Sequence, residues 1–168
     1  MKKILKFPDG DKQYHIASCG TKAMQKLILY KKGIEVPEMD LIKIANTSRK
    51  GTPIENMLRI ADKFDLDYTK KYNYSIPDLI NSIDKGNPAL LSVQGWPNKK
   101  VKNWLIETAF GHYDVLIGYD TRKEQIFYYD PYDGKIKSMN YETLHLVAHD
   151  VDFKSKEVFD HFAVFFKD

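Results

Sequence analysis

Residues 111–134, GHYDVLIGYDTRKEQIFYYDPYDG, hold the strongest fold signal in the chain. His112 to Tyr119 and Gln125 to Asp130 are short runs rich in β-branched and aromatic residues, the composition of strands, and the polar segment Asp120 to Glu124 joins them. Asp133 and Gly134 signal a second turn, which leads into a further strand, Lys135 to Met139. Strands joined this closely run antiparallel. The start of the first then lies beside the end of the second, so His112 and Asp130, about 18 positions apart in sequence, stand roughly one strand spacing apart in space.

Working outward, Ala89 to Val93 and His161 to Phe166 are the remaining strand-like runs, and the pattern changes near Asn87. Ahead of it the chain reads as helices. Gly20 to Lys32 has Ala23, Met24, Leu27, Ile28 and Tyr30 at helical spacing and Gly33 as its stop. Ile34 to Asn46 holds a shorter helix; Thr52 and Pro53 are the expected cap and first-turn proline of a third that reaches Phe64; Ser75 to Lys85 is a fourth, entered through Pro77. A short helix over Asn140 to Val147 interrupts the strands. Helices first and a mostly antiparallel sheet second make a segregated α+β layout, with no linker or repeat to divide residues 1–168, which are read as one domain.

Composition sets the outer bounds. With 168 residues, 43% of them hydrophobic, the chain can bury roughly 70% of its unfolded surface and needs no staple, and its single cysteine permits no internal disulfide. The net charge of +3 is scattered, which excludes a dedicated nucleic-acid binder; Lys99, Lys100 and Lys102 read as a solvated loop. The lysines of Met1 to Lys6 are followed by Pro8, Asp9, Gly10, Asp11 and Lys12 where an export signal would be apolar. No run approaches the roughly 18 apolar residues of a membrane span. A cytoplasmic protein is expected.

Cys19 stands immediately before the helix-forming run. A thiol there faces unpaired backbone amides and the positive end of the helix dipole, which favour thiolate, although a lone cysteine is also a common core residue. Gly20 leaves room for an approaching substrate, and Gly111 allows close backbone approach beside His112. His112 could serve as a base held rigidly by its strand or could hydrogen-bond a loop, and Asp130 could fix the tautomer of that base or simply begin the Asp-Pro turn. Together they supply nucleophile, base and orienting carboxylate. Gln13, six positions before Cys19, could add an oxyanion donor. The long connection Gly95 to Phe110 carries Trp96 and Trp104, which could wall a substrate cleft or cover a core edge. No metal site is expected: His145 and His149 are four apart but lack a third partner.

The order Gln13, then Cys19 and Gly20, then Gly111, His112 and Tyr113, then Asp130 and Pro131 resembles the thirty-ninth cysteine-peptidase family, the papain-like bacteriocin-processing domains and their free-standing relatives. The likeness extends through Gly51 and Thr52, through Leu66, Asp67 and Tyr68, and through Gly118, Tyr119, Asp120 and Gly134. It implies a papain-like fold with Cys19 as nucleophile, His112 as general base, Asp130 as its orienter and Gln13 in the oxyanion hole. The expected function is cysteine peptidase action on a peptide or protein substrate, without cofactor or metal. An acyl or peptidyl transferase of the same fold and a non-catalytic peptide-binding module are the alternatives.

Overall fold

A computed structural model describes residues 1–167; Asp168, the last residue of the span read as one domain, lies outside the described residues. In chain order the elements are β1 (Lys2–Ile4), α1 (Cys19–Lys32), α2 (Glu38–Ala45), α3 (Ile54–Lys63), β2 (Tyr68–Lys71), α4 (Ile76–Asp84) and β3 (Ala89–Gln94). A 3-10 turn at Trp104–Ile106 follows, then β4 (Gly111–Asp120), β5 (Gln125–Asp130), β6 (Lys135–Asn140), α5 (Tyr141–Val147), β7 (His149–Val151), β8 (Val158–Asp160) and β9 (Ala163–Phe166). All pairings between these strands are antiparallel. The large sheet runs β2-β9-β3-β4-β5-β6, with β1 paired to the far end of β4, while β7 and β8 form a separate ribbon.

Local chemistry sets the helix limits. Gly33, in the left-handed region at φ +65°, donates its N–H to Leu29 and closes α1 after Lys31 and Lys32. Ser75 and Asp78 form a reciprocal capping box on α4. The second helix, Glu38–Ala45, lies inside the expected stretch Ile34 to Asn46, and Pro37 keeps it from starting sooner by holding Val36 and itself out of helical geometry. One expectation needs correction. Thr52 does not cap α3: its hydroxyl bonds Thr47 at 2.7 Å, and the Ile54 N–H donates to Asp152 from a distant loop at 3.2 Å.

Two apolar clusters lie on opposite faces of the sheet. Val115, Ile117 and Tyr129 pack with Met24, Leu27, Met57 and Ile60 from α1 and α3; Leu116, Tyr128 and Leu91 pack with Leu79, Leu144 and Val147 from α4 and α5. The alternation along β4 breaks at a bulge between Leu116 and Gly118, after which Tyr119 joins the α4 and α5 side. His112 and Asp114 share the parity of Leu116. They therefore face the α5 side, as do Asp130 on β5 and Lys137 on β6.

The segment ahead of α1 leans on the β5–β6 turn. Gly10 donates its N–H to Gly134 and Gln13 its N–H to Pro131, each at 2.8 Å. Gly134, at φ +73°, has no space for a side chain, since a Cβ would stand 2.7 Å from the Asp11 carbonyl. Cys19 and Asp130 thereby hang on one backbone junction. Among the described residues no helix is long and apolar enough to cross a membrane.

Candidate active site

The thiol is placed by a loop whose polar groups are almost all spoken for. Cys19 opens α1 and is only 9% exposed. Tyr14 N donates to both oxygens of Glu38 at 3.1 Å, and Glu38 also pairs with Lys22 at 3.1 Å in a buried ion pair. Removing one partner of such a pair costs about 3–5 kcal/mol, so this clasp ties the loop firmly to α1 and α2. Ser18 and His15 exchange bonds at 2.9–3.0 Å. The buried Gln13 donates both N–H groups of its amide inward, to the carbonyls of His15 and Ile16, each at 2.8 Å. The expected oxyanion donor is thus committed to the loop that carries the thiol, while its Oε1 is buried without a hydrogen-bond partner among the described residues.

The imidazole is placed by the sheet. Continuing the register Val115 to Tyr129 sets Asp114 opposite Asp130, two like charges that need a cation between them. His112 Nε2 supplies it, donating to Asp130 Oδ1 at 2.8 Å and lying 3.3 Å from Asp114 Oδ1. Lys137, diagonal to Asp130 across the β5–β6 ladder, binds the other oxygen of Asp130 at 2.6 Å and reaches Asp133 at 2.9 Å. Asp130 also accepts the Tyr132 N–H at 2.9 Å.

The charge states follow from these contacts. Burial alone would strip His112 of its proton, but Asp114, Asp130 and the nearby Cys19 sulfur outweigh it and hold the imidazole well above the ordinary histidine range. Burial raises Asp114 to about 6 against the opposing pull of His112. Burial works against Asp130 too, but His112, Lys137 and the Tyr132 amide hold its carboxyl far below the usual range. At neutral pH the cluster is therefore an imidazolium between two carboxylates, one of them also neutralised by lysine. Ligand atoms of His112, Asp114 and Asp130 lie within 4.8 Å of one another, a spacing that suits a cation. The ammonium on Asp130 and the proton on His112 already satisfy that charge, and ion pairing accounts for the cluster.

Two cavities, of about 250 and about 500 Å³, share Cys19, Lys50, Gly51, Ala109 and Gly111 in their walls. Trp96 lines the larger one. Its ring lies 5.5 Å from that of His112 and 5.0 Å from that of Tyr132, with Lys99 over its face. Gly95 lets this loop cross His112, where a Cβ would be 3.1 Å from the histidine's own. Two expectations fail. Trp104 packs on the second apolar cluster and against Phe110 and lines neither cavity, because the 3-10 turn carries it to the core edge. Gly20 leaves no room for substrate: it is buried, and a Cβ there would stand 2.2 Å from Met57 Sδ. Gly20→Ala is expected to cost about 1–2 kcal/mol of stability through overpacking between α1 and α3, read as a lower thermal midpoint.

Asp114, Lys137 and Gln94 are site residues that the sequence reading passed over. Asp114 had a usable signal, since residue i+2 on a strand shares the face of residue i. Gln94 accepts from Phe110 N at 3.0 Å and donates to His149 O at 3.0 Å and Asp150 Oδ1 at 3.2 Å, clamping the loop and β7 together. The pair His145 and His149 does not share a helix. Helix α5 ends at Val147; His149 bonds the Glu107 carbonyl and His145 bonds His161.

The same architecture recurs in solved structures. A structure described as a C39-like peptidase from Bacillus anthracis superposes with a TM-score of 0.74 at 16% identity, covering 100% of this chain and 98% of that one. The peptidase domain of Streptococcus ComA, a bi-functional ABC transporter, gives 0.64 at 19% identity, with 98% and 97% covered. A double glycine motif protease from an AMS/PCAT transporter, in complex with its leader peptide, gives 0.66 at 19% identity, with 99% and 95% covered. No curated protein matches the chain in sequence. The fold is papain-like. Residues 9–151, which run from the loop holding Gln13 through β7, match the sequence pattern of the Peptidase_C39 like family, and to that family the chain belongs.

Proposed function

We propose that this chain is a cysteine peptidase in which Cys19 is the nucleophile, His112 the general base and acid, and Asp130 the carboxylate that orients the imidazole. One observation carries the reading: a buried, cationic imidazole clamped by carboxylates stands beside the one thiol of the chain, where two cavities meet. In a catalytic cycle the Cys19 sulfur attacks the peptide carbonyl carbon as thiolate, and the carbonyl electron pair moves to oxygen. The C–N bond then breaks as His112 gives its proton to the leaving amine. Water, losing a proton to His112, attacks the thioester and frees the acid and the sulfur. Backbone N–H at the start of α1 is the natural support for the oxyanion, and Gln13 contributes by fixing the loop that holds it.

The peptide substrate is supported by the relatives, one of which is described with a leader peptide bound. Mass spectrometry of peptide libraries incubated with the protein tests the reading. Fragments that together gain one water are expected. Fragments capped by an added amine would make the protein a transferase, and peptides retained uncleaved would make it a binding module.

A further inference from the structure

The smaller cavity at Cys19 contains a carboxylate that the catalytic reading does not use. Asp150 Oδ1 is held in place, accepting from Val151 N at 2.8 Å and Gln94 Nε2 at 3.2 Å. Oδ2 takes no hydrogen bond among the described residues. It rests against Gly111, the residue before His112, where an added Cβ would stand 2.6 Å from it. Any side chain at 111 would evict the carboxylate, so the glycine that opens β4 is what seats an acid beside the nucleophile.

The neighbouring acid of this cavity behaves differently. Asp152 is spent on the N–H groups of Ile54, Lys154 and Ser155 and is a structural cap. Asp150 has no Lys, Arg or His nitrogen within 4.0 Å among the described residues, and burial raises its carboxyl to about 6. A half-buried carboxylate without a cation is costly unless something arrives to pair with it. Gln94 and the β7 backbone fix its direction in advance, as a recognition group requires.

We propose that this cavity, whose wall includes Cys19, Lys50, Gly51, Gly111, Tyr113 and Asp150, is a subsite for a cationic side chain, lysine or arginine, flanking the bond that Cys19 attacks and held at the Asp150 end, where no Lys, Arg or His nitrogen lies within 4.0 Å of the carboxylate among the described residues. The inference rests on the peptidase reading for its geometry, but its test does not need turnover. Asp150 receives the ammonium or guanidinium on Oδ2, while the apolar stem lies along Tyr113 and the glycine backbone. A peptide with an uncharged chain at that position leaves Asp150 unpaired, and so binds less well.

Calorimetric titration of the Cys19→Ala protein, in which bound peptide survives, decides the matter. Peptides of the cleaved sequence, or of a retained library member, are paired so that lysine is exchanged for norleucine, and arginine for citrulline, at each position in turn. At one position the cationic peptide is expected to bind about 10- to 100-fold more tightly, the range of a hydrogen bond to a charged group. Adding Asp150→Asn should collapse that ratio to about one. Equal affinities at every position, or a ratio that survives Asp150→Asn, would overturn the subsite. Failure of the peptidase reading shows separately, as wild-type protein that cleaves none of the peptides.

Discussion

Cys19→Ala is expected to abolish peptide cleavage, with a loss of about 10⁴-fold or more in kcat and little change in the thermal midpoint. Cys19 is the one thiol of the chain, and a nucleophile and its base act as one unit, so His112→Ala should cost almost as much and the double variant scarcely more. Such non-additivity is diagnostic. A Cys19→Ala protein that retained a tenth of the wild-type rate would remove the thiol from the chemistry. Losses for the two single variants that multiplied in the double would separate the imidazole from the sulfur. Mass spectrometric product counting in single-turnover conditions reads both.

Asp130→Asn should be the next largest effect, a fall of about 10²- to 10⁴-fold in a folded protein. Asparagine keeps the shape but loses the charge that balances both His112 and Lys137, and it leaves the Lys137 ammonium facing an imidazolium. His112 is raised in part by its bond to Asp130, so without that charge it gives up its proton at lower pH. The active, protonated form of His112 is present below its pKa and lost above it. The alkaline limb of the rate profile should therefore move to lower pH. Asp114→Asn should move the limb in the same direction, since the charge of Asp114 is the strongest influence raising His112, but it should cost less in rate because the bond to Asp130 remains. An unmoved limb in both variants would mean that neither carboxylate governs the imidazole.

The hairpin that brings His112 to Asp130 was legible because both strands and both turns carry unambiguous residues. Short strands were not. Strand β1 is Lys-Lys-Ile, β2 is Tyr-Thr-Lys-Lys, and β7 and β8 have three residues each, too short and too charged for alternation to show; only their partners make them strands. Charge clusters were harder still. Lys137 reaches Asp130 through a diagonal across a register that no local pattern states, and Asp150 meets Gly111 through the loop clamped by Gln94. Gln13 and Gly20 show the limit from the other side. Both stand close to the thiol in sequence, but direction belongs to packing: one amide turns into its own loop, and the glycine turns into the Met57 contact.

The junction between the first loop and the β5–β6 turn gives the protein a built-in gauge. The amides of Gly10 and Gln13 donate across it, to carbonyls that directly follow Asp130 or lie within four residues of it. Their solvent exchange requires the loop that carries the thiol to part from the turn that follows Asp130, the carboxylate bonded to the imidazole. Hydrogen–deuterium exchange at these two amides therefore counts how often the two halves of the site come apart, in a protein that is otherwise still folded. Protection there comparable with that of the central β4 amides would mark a site that opens only when the whole fold does; earlier exchange would mark a site assembled and disassembled on its own clock.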